Sequence, residues 1–162
     1  MLEQFWVIDA SPIITLARVG LGHVFQQLAR SIMIPHAVAQ EILAGSVDDP
    51  ARLLIEQHYF PVVAPFQVSN EVVQWNLGAG ETAVLEFALA NLGWTAILDD
   101  GAARRCAKAI NIPVKGTLGI VLLAKQHYLI DSARFVFEAM SQQGFRIDQS
   151  LVDSILYVVD EA

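Results

Sequence analysis

Cysteine is nearly absent: Cys106 is the only one in 162 residues. A lone thiol excludes an internal disulfide framework and a multi-thiolate zinc site, and it suits a reducing compartment, so the cytoplasm is the expected location. Histidine is sparse as well, with four scattered residues and no HExxH spacing, which leaves zinc hydrolysis and Ser–His–Asp catalysis without support. Basic charge is short. Ten Lys and Arg face seventeen Asp and Glu, for a net charge of −7, which opposes broad adhesion to nucleic acid or an anionic membrane. A nucleic-acid role therefore needs a local basic patch or a metal. Long apolar runs are missing too: Asp9 and Arg18 interrupt the first, and Lys125 and His127 the one from Leu118, so none nears the roughly 20 residues of a membrane span. Met1-Leu2-Glu3-Gln4 brings no basic region ahead of its apolar stretch, unlike a secretory signal. There is no repeat and no low-complexity segment.

What is present is apolar bulk, 54% hydrophobic against 17% charged residues, ample for a packed core and incompatible with disorder. The length fits one domain. Phe5-Trp6-Val7-Ile8 reads as a strand buried on both faces, ending at Asp9. Ser11 offers a cap and Pro12 a first helical residue, predicting a helix over 13–18. Further helices are expected over 21–29 (with Val24, Phe25 and Leu28 on one face), 38–44 and 52–59, and a helical turn within 68–75. Leu77-Gly78-Ala79-Gly80 reads as a break before a helix over 81–91 that turns Val84, Leu85, Ala88 and Leu92 inward. Additional strands fall at 32–34, 62–64, 95–98 and 112–114, and the remaining helices at 102–109, 118–126, 134–143 and 150–159. This alternation predicts an α/β fold, a central, mainly parallel sheet covered on both faces in a three-layer α/β/α arrangement. Ligands then gather beyond the carboxyl ends of the strands.

Acids stand at those ends. Asp9 follows the first strand, and Asp99-Asp100 follows the strand at 95–98. Glu81 opens a helix, where backbone N–H groups and the dipole favour a carboxylate. Glu41 lies about two turns past Pro35, close enough to point back over the sheet. Each has a plain alternative as a cap or a solvated helix residue; their joint pattern is what points to a site. Converging carboxylates repel unless a cation sits among them, and an all-oxygen donor set selects Mg²⁺ or Mn²⁺. Such ions suit phosphodiester hydrolysis. Ser11 and Thr117 are either helix caps or hydroxyls that hold water or phosphate. Arg104, Arg105, Lys108, Lys115 and Lys125 are either phosphate contacts or an ordinary helix surface. Leu77-Gly78-Ala79-Gly80-Glu81 lacks the Lys-Ser/Thr of a phosphate loop and the third glycine of a dinucleotide fingerprint. Trp6, Trp75, Trp94 and Phe66 are candidates for an exposed oligomer or partner surface.

The runs Val7-Ile8-Asp9-Ala10-Ser11-Pro12, Ile34-Pro35 with Glu41-Ile42, Leu77-Gly78-Ala79-Gly80-Glu81-Thr82-Ala83, Ile97-Leu98-Asp99-Asp100-Gly101, Val114-Lys115-Gly116-Thr117 and Gly144-Phe145-Arg146-Ile147 resemble those of PIN-domain nucleases. The likeness is nearer to a PIN-like branch related to VapC-like toxins, and it runs from about Phe5 to Leu156 in the same order. It implies a parallel α/β fold and a metal-dependent endoribonuclease, often paired with an antitoxin. By position, Asp9 matches the first metal-binding acid, Glu41 the second, Glu81 the helix-start acid, and Asp99 or Asp100 the acid after the fourth strand. Better-known members carry aspartate at the place of Glu81, and Thr or Ser at the place of Leu98. The expectations are thus an RNA substrate, Mg²⁺ or Mn²⁺, a cognate antitoxin and a homo-oligomer, or else a PIN-like interaction module with weakened catalysis.

Overall fold

A computed structural model describes residues 4–65 and 68–162; Phe66 and the first three residues lie outside the described part. Five strands form an all-parallel sheet in the order β3-β2-β1-β4-β5: β1 (Phe5–Ile8), β2 (Ser31–Pro35), β3 (Val62–Val63), β4 (Trp94–Ile97) and β5 (Val114–Lys115). In chain order β1, β2 and β3 step outward on one side. The chain then returns to lay β4 and β5 on the other. β1 is central, paired with both β2 and β4, so its side chains are buried on both faces and its sequence does not alternate. The edge strands β3 and β5 are two residues long, which leaves little unpaired backbone exposed.

Helices cover both faces, giving three layers. The first four are α1 (Ala10–Arg18), α2 (Val24–Leu28), α3 (His36–Leu43) and α4 (Pro50–Glu56). The short α5 (Asn70–Val73) precedes α6 (Ala79–Ala90) and α7 (Gly101–Ala109), and α8 (Thr117–Gln126), α9 (Ala133–Gln142) and α10 (Gln149–Val158) close the chain. α6 packs on β1, β2 and β4 and against α3, while α2 packs on β2 and against α8, which in turn meets α1, α9 and α10. One continuous cluster of buried side chains, including Trp6, Ile8, Phe25, Leu85, Ile97 and Met140, joins the layers. No described helix is long and apolar enough to cross a membrane.

Three expectations change. The Leu77-Gly78-Ala79-Gly80 break is shorter than expected, because α6 already begins at Ala79 and Gly80 is a buried helical residue. Leu92 is 94% exposed rather than inward, since α6 stops at Ala90 and Gly93 turns the chain at φ +93. Trp6 is fully buried, and Trp75 and Trp94 are half-buried against the core, so these rings are interior packing. Among the described residues the exposed apolar groups include Tyr128, Phe135 and Tyr157.

Candidate metal centre

The strand order reverses between β1 and β4, and the crevice beyond their carboxyl ends is where open parallel sheets bind ligands. Asp9 and Asp99 stand there. The Asp9 N–H donates to the Ile97 carbonyl at 3.0 Å, carrying the β1–β4 ladder one residue past β1. Asp9 occupies the N-cap position of α1, yet its side chain makes no capping bond. It is only 4% exposed. Burial raises its pKa from 3.8 to about 7; the neighbouring Ala10 N–H opposes the rise, and Glu81, Glu41 and Asp99 add to it.

Two helices bring the glutamates. Glu41, on α3, has its pKa pushed up by partial burial and then by Glu81. Glu81, in the first turn of α6, folds its carboxylate back over Gly78. Gly80 lies between the acids: a methyl there would stand 3.1 Å from Asp9 Oδ1, 3.5 Å from Val38 Cγ2 and 3.8 Å from Glu41 Oε1. A side chain at that place would press on the Asp9 carboxylate, so glycine is what lets β1 and α3 present their acids to α6.

The aspartate pair splits. Asp99 accepts from the Thr117 N–H at 2.8 Å, from the Thr117 hydroxyl at 2.6 Å and from the Ser11 hydroxyl at 3.1 Å. Asp100 turns the other way, capping α7 by accepting from the Ala103 N–H at 2.9 Å. Ser11 and Thr117 therefore spend their hydroxyls on Asp99 and cap no helix through them. Arg104 donates to the Leu98 carbonyl at 3.0 Å, and a methyl on Gly116 would meet both its Nη1 at 2.8 Å and Asp99 Oδ1 at 3.1 Å. Lys115 lies half-buried on β5, while Arg105 and Lys108 are exposed on α7. Lys125 is elsewhere, donating to the Asp131 carbonyl and lying 3.8 Å from Glu161.

Asp9, Glu41, Glu81 and Asp99 take part in none of the ion pairs among the described residues. Their donor set is all oxygen, which fits a hard divalent cation. A cation would also relieve the repulsion that adds to the effect of burial on Asp9. In the conformation seen, no group of three such side chains among the described residues is drawn together as a ready-made cation site. Sequence reasoning missed Gly80 and Gly116 as parts of this centre, and it missed Glu86, a buried carboxylate further along α6. A glycine in the first turn of a helix otherwise rich in Ala and Leu was the available signal for Gly80.

Carboxylates gathered at the switch point of a parallel three-layer sheet define an acid-centred α/β domain of nuclease type. The profile of the PIN-domain family matches residues 5–161, and the chain belongs to that family, whose members generally use divalent metal ions. No curated protein matches the chain significantly.

Proposed function

We propose that the chain is a Mg²⁺- or Mn²⁺-dependent endoribonuclease and the toxin of a toxin–antitoxin pair. The observation that carries this reading is a buried Asp9 near the β1–β4 switch point, close enough to Glu81, Glu41 and Asp99 from three other segments for each to raise its pKa, with no basic partner among the described ion pairs. In it Asp9, Glu81 and Asp99 would hold the ion with Glu41 beside them, and Asp100 is left to its capping bond. A divalent ion bound there lowers the pKa of water and stabilises charge developing on the phosphodiester. Asp9, whose pKa burial raises to about 7, would bind such an ion as the carboxylate. Glu41, its pKa already raised, takes the proton of the attacking water. Ser11 and Thr117 fix the orientation of Asp99, and Arg104, Arg105 and Lys115 meet the phosphates on the α7–β5 side. The antitoxin covers the acidic rim, and exposed side chains such as Phe135 and Tyr157 serve a homo-oligomer.

The test is cleavage of a mixed set of labelled RNAs by purified protein freed of any partner, with Mn²⁺ or Mg²⁺, beside EDTA and Asp9→Asn controls. Cleavage lost in both controls, with Asp9→Asn still folded, is the expected result. An absence of cleavage joined to an absence of metal binding by calorimetry overturns the reading and leaves a PIN-like interaction module.

A further inference from the structure

Two carboxylates are buried among the described residues, Asp9 and Glu86, and the proposed reaction uses only the first. Glu86 is 6% exposed. Its Oε1 accepts from the Ser69 N–H at 2.7 Å and the Ser69 hydroxyl at 2.9 Å, which fills that oxygen. Oε2 takes no hydrogen bond among the described residues, and Glu86 joins none of their ion pairs. No described side-chain polar atom is both sealed from solvent and without a partner. Oε2 therefore keeps some exposure, and Glu86 lines a cavity of about 350 Å³ that this oxygen is free to face.

The cavity lies between α3 and α6, walled by Ala37 and Gln40 on one side and Ala79, Thr82 and Ala83 on the other, with Pro65 also lining it. Gln40 adjoins Glu41, and Ala79 and Thr82 bracket Gly80 and Glu81, so the cavity and the acids occupy neighbouring faces of the same two helices, within about one 5.4 Å turn. Its volume is that of a small-molecule site, with largely apolar walls and few polar groups. Such walls accept the faces of a flat ring. The Glu86 carboxyl oxygen among those walls then selects the edge of that ring.

Among the RNA bases, guanine alone presents two adjacent donors, N1–H and the N2 amino group, on its Watson–Crick edge. Adenine and cytosine set a ring-nitrogen lone pair beside the amino group, and uracil flanks its N3–H with two carbonyl oxygens, so each places an acceptor against the carboxylate. Single-stranded RNA is commonly read through such unstacked bases and their edges. We propose that the α3–α6 cavity is a guanine-binding subsite for the nucleotide beside the cleaved phosphodiester, with Glu86 Oε2 accepting from the guanine N–H edge. This specificity rests on the nuclease reading; the recognition of the base does not.

The test is titration of the metal-free protein with GMP, AMP, CMP and UMP, followed by backbone amide shifts, on the wild type and on Glu86→Gln. The glutamine keeps an acceptor for Ser69 and puts an NH₂ donor in place of Oε2. GMP is expected to shift the Ala37, Thr82 and Ala83 amides with a Kd at least tenfold below those of the other three, and Glu86→Gln to erase that preference. Equal binding of all four, shifts confined to other amides, no binding, or a guanine preference that survives Glu86→Gln overturns the proposal. Should Glu86→Gln fail to fold, Ala37→Leu narrows the cavity without touching Ser69. It is expected to weaken GMP at least tenfold, and unchanged GMP binding overturns the proposal equally. Neither metal nor cleavage enters these titrations, so they stand apart from a failure of the nuclease reading, which the EDTA-sensitive assay reports.

Discussion

Asp9 carries a raised pKa for a reason that makes it costly to the fold. Burial holds the proton on it up to about pH 7, against 3.8 in the unfolded chain, so between those values the folded state binds more protons than the unfolded one. Stability falls wherever that is so. The metal-free protein is expected to be most favoured, as far as Asp9 decides, below about pH 4, and to lose stability until the fall is complete above pH 7. The full loss is at most about 4 kcal/mol, from about 1.4 kcal/mol per pKa unit. Asp9→Asn abolishes it, and the variant should melt roughly 5–10 °C above the wild type at pH 8, with the gap closing toward pH 4. A gap that does not change with pH, in thermal melts without metal, would sink this account. Gly80 gives a second residue-scale expectation. Gly80→Ala gains up to about 1 kcal/mol of helix propensity while its methyl presses on Asp9 Oδ1 from 3.1 Å. Cleavage should fall about tenfold with the melting temperature held or raised; unaltered kcat/KM would show that the space beside Asp9 is immaterial.

At the scale of elements, the strands and helices were legible because apolar runs bounded by Pro, Gly and Asp mark them. β1 and the acid after it follow directly from Phe5-Trp6-Val7-Ile8-Asp9. What local patterning could not supply were partners distant in the chain. Ser11 reads as the cap of α1 from its neighbours, yet α1 begins at Ala10 and the Ser11 hydroxyl donates to Asp99, 88 residues on. Asp99 and Asp100 are equivalent in sequence, and only the entry angle of α7 separates a capping carboxylate from one facing the crevice. Leu92 was misplaced because helical periodicity was carried past the real end of α6. The Asp99 network ties the starts of α1 and α8 to the end of β4, so its hydroxyls act on the joints between elements. Thr117 is fully buried, and Thr117→Val keeps its N–H and shape but removes the 2.6 Å bond to Asp99. A loss of about 1–2 kcal/mol is expected in denaturant melts, with Thr117→Ser recovering most of it. If Thr117→Ser proves as unstable as Thr117→Val, methyl packing rather than the hydroxyl bond holds this joint.

For the whole molecule, stability against pH has a second limb of opposite sign, set far from the crevice at the end of the chain. Glu161 clips the C-terminus over the start of α9, accepting from the Ser132 hydroxyl at 2.6 Å and the Ala133 and Arg134 N–H groups at 2.7 and 3.3 Å. Burial alone would raise its pKa, but these bonds and the nearby Lys125 outweigh it and leave the pKa below the ordinary 4.5. A depressed carboxylate contributes stability above its unfolded pKa, and that contribution is lost as pH falls through the folded value. The clip therefore weakens on the acid side, while Asp9 weakens the fold as pH rises toward 7. Between them the two groups place the stability maximum of the metal-free protein near pH 4, about where the limbs meet. Glu161→Gln is expected to cost about 1 kcal/mol at pH 7, to narrow its difference from the wild type below pH 4, and to leave the alkaline limb intact. Saturating Mn²⁺ should act on the other limb alone, flattening the decline toward pH 8 in the wild type and doing nothing of the kind in Asp9→Asn. Melts of both variants across pH 3–8, with and without Mn²⁺, separate the limbs. Should Mn²⁺ raise the melting temperature of Asp9→Asn at pH 8 as much as it raises that of the wild type, the ion is stabilising the protein from somewhere other than the β1–β4 crevice.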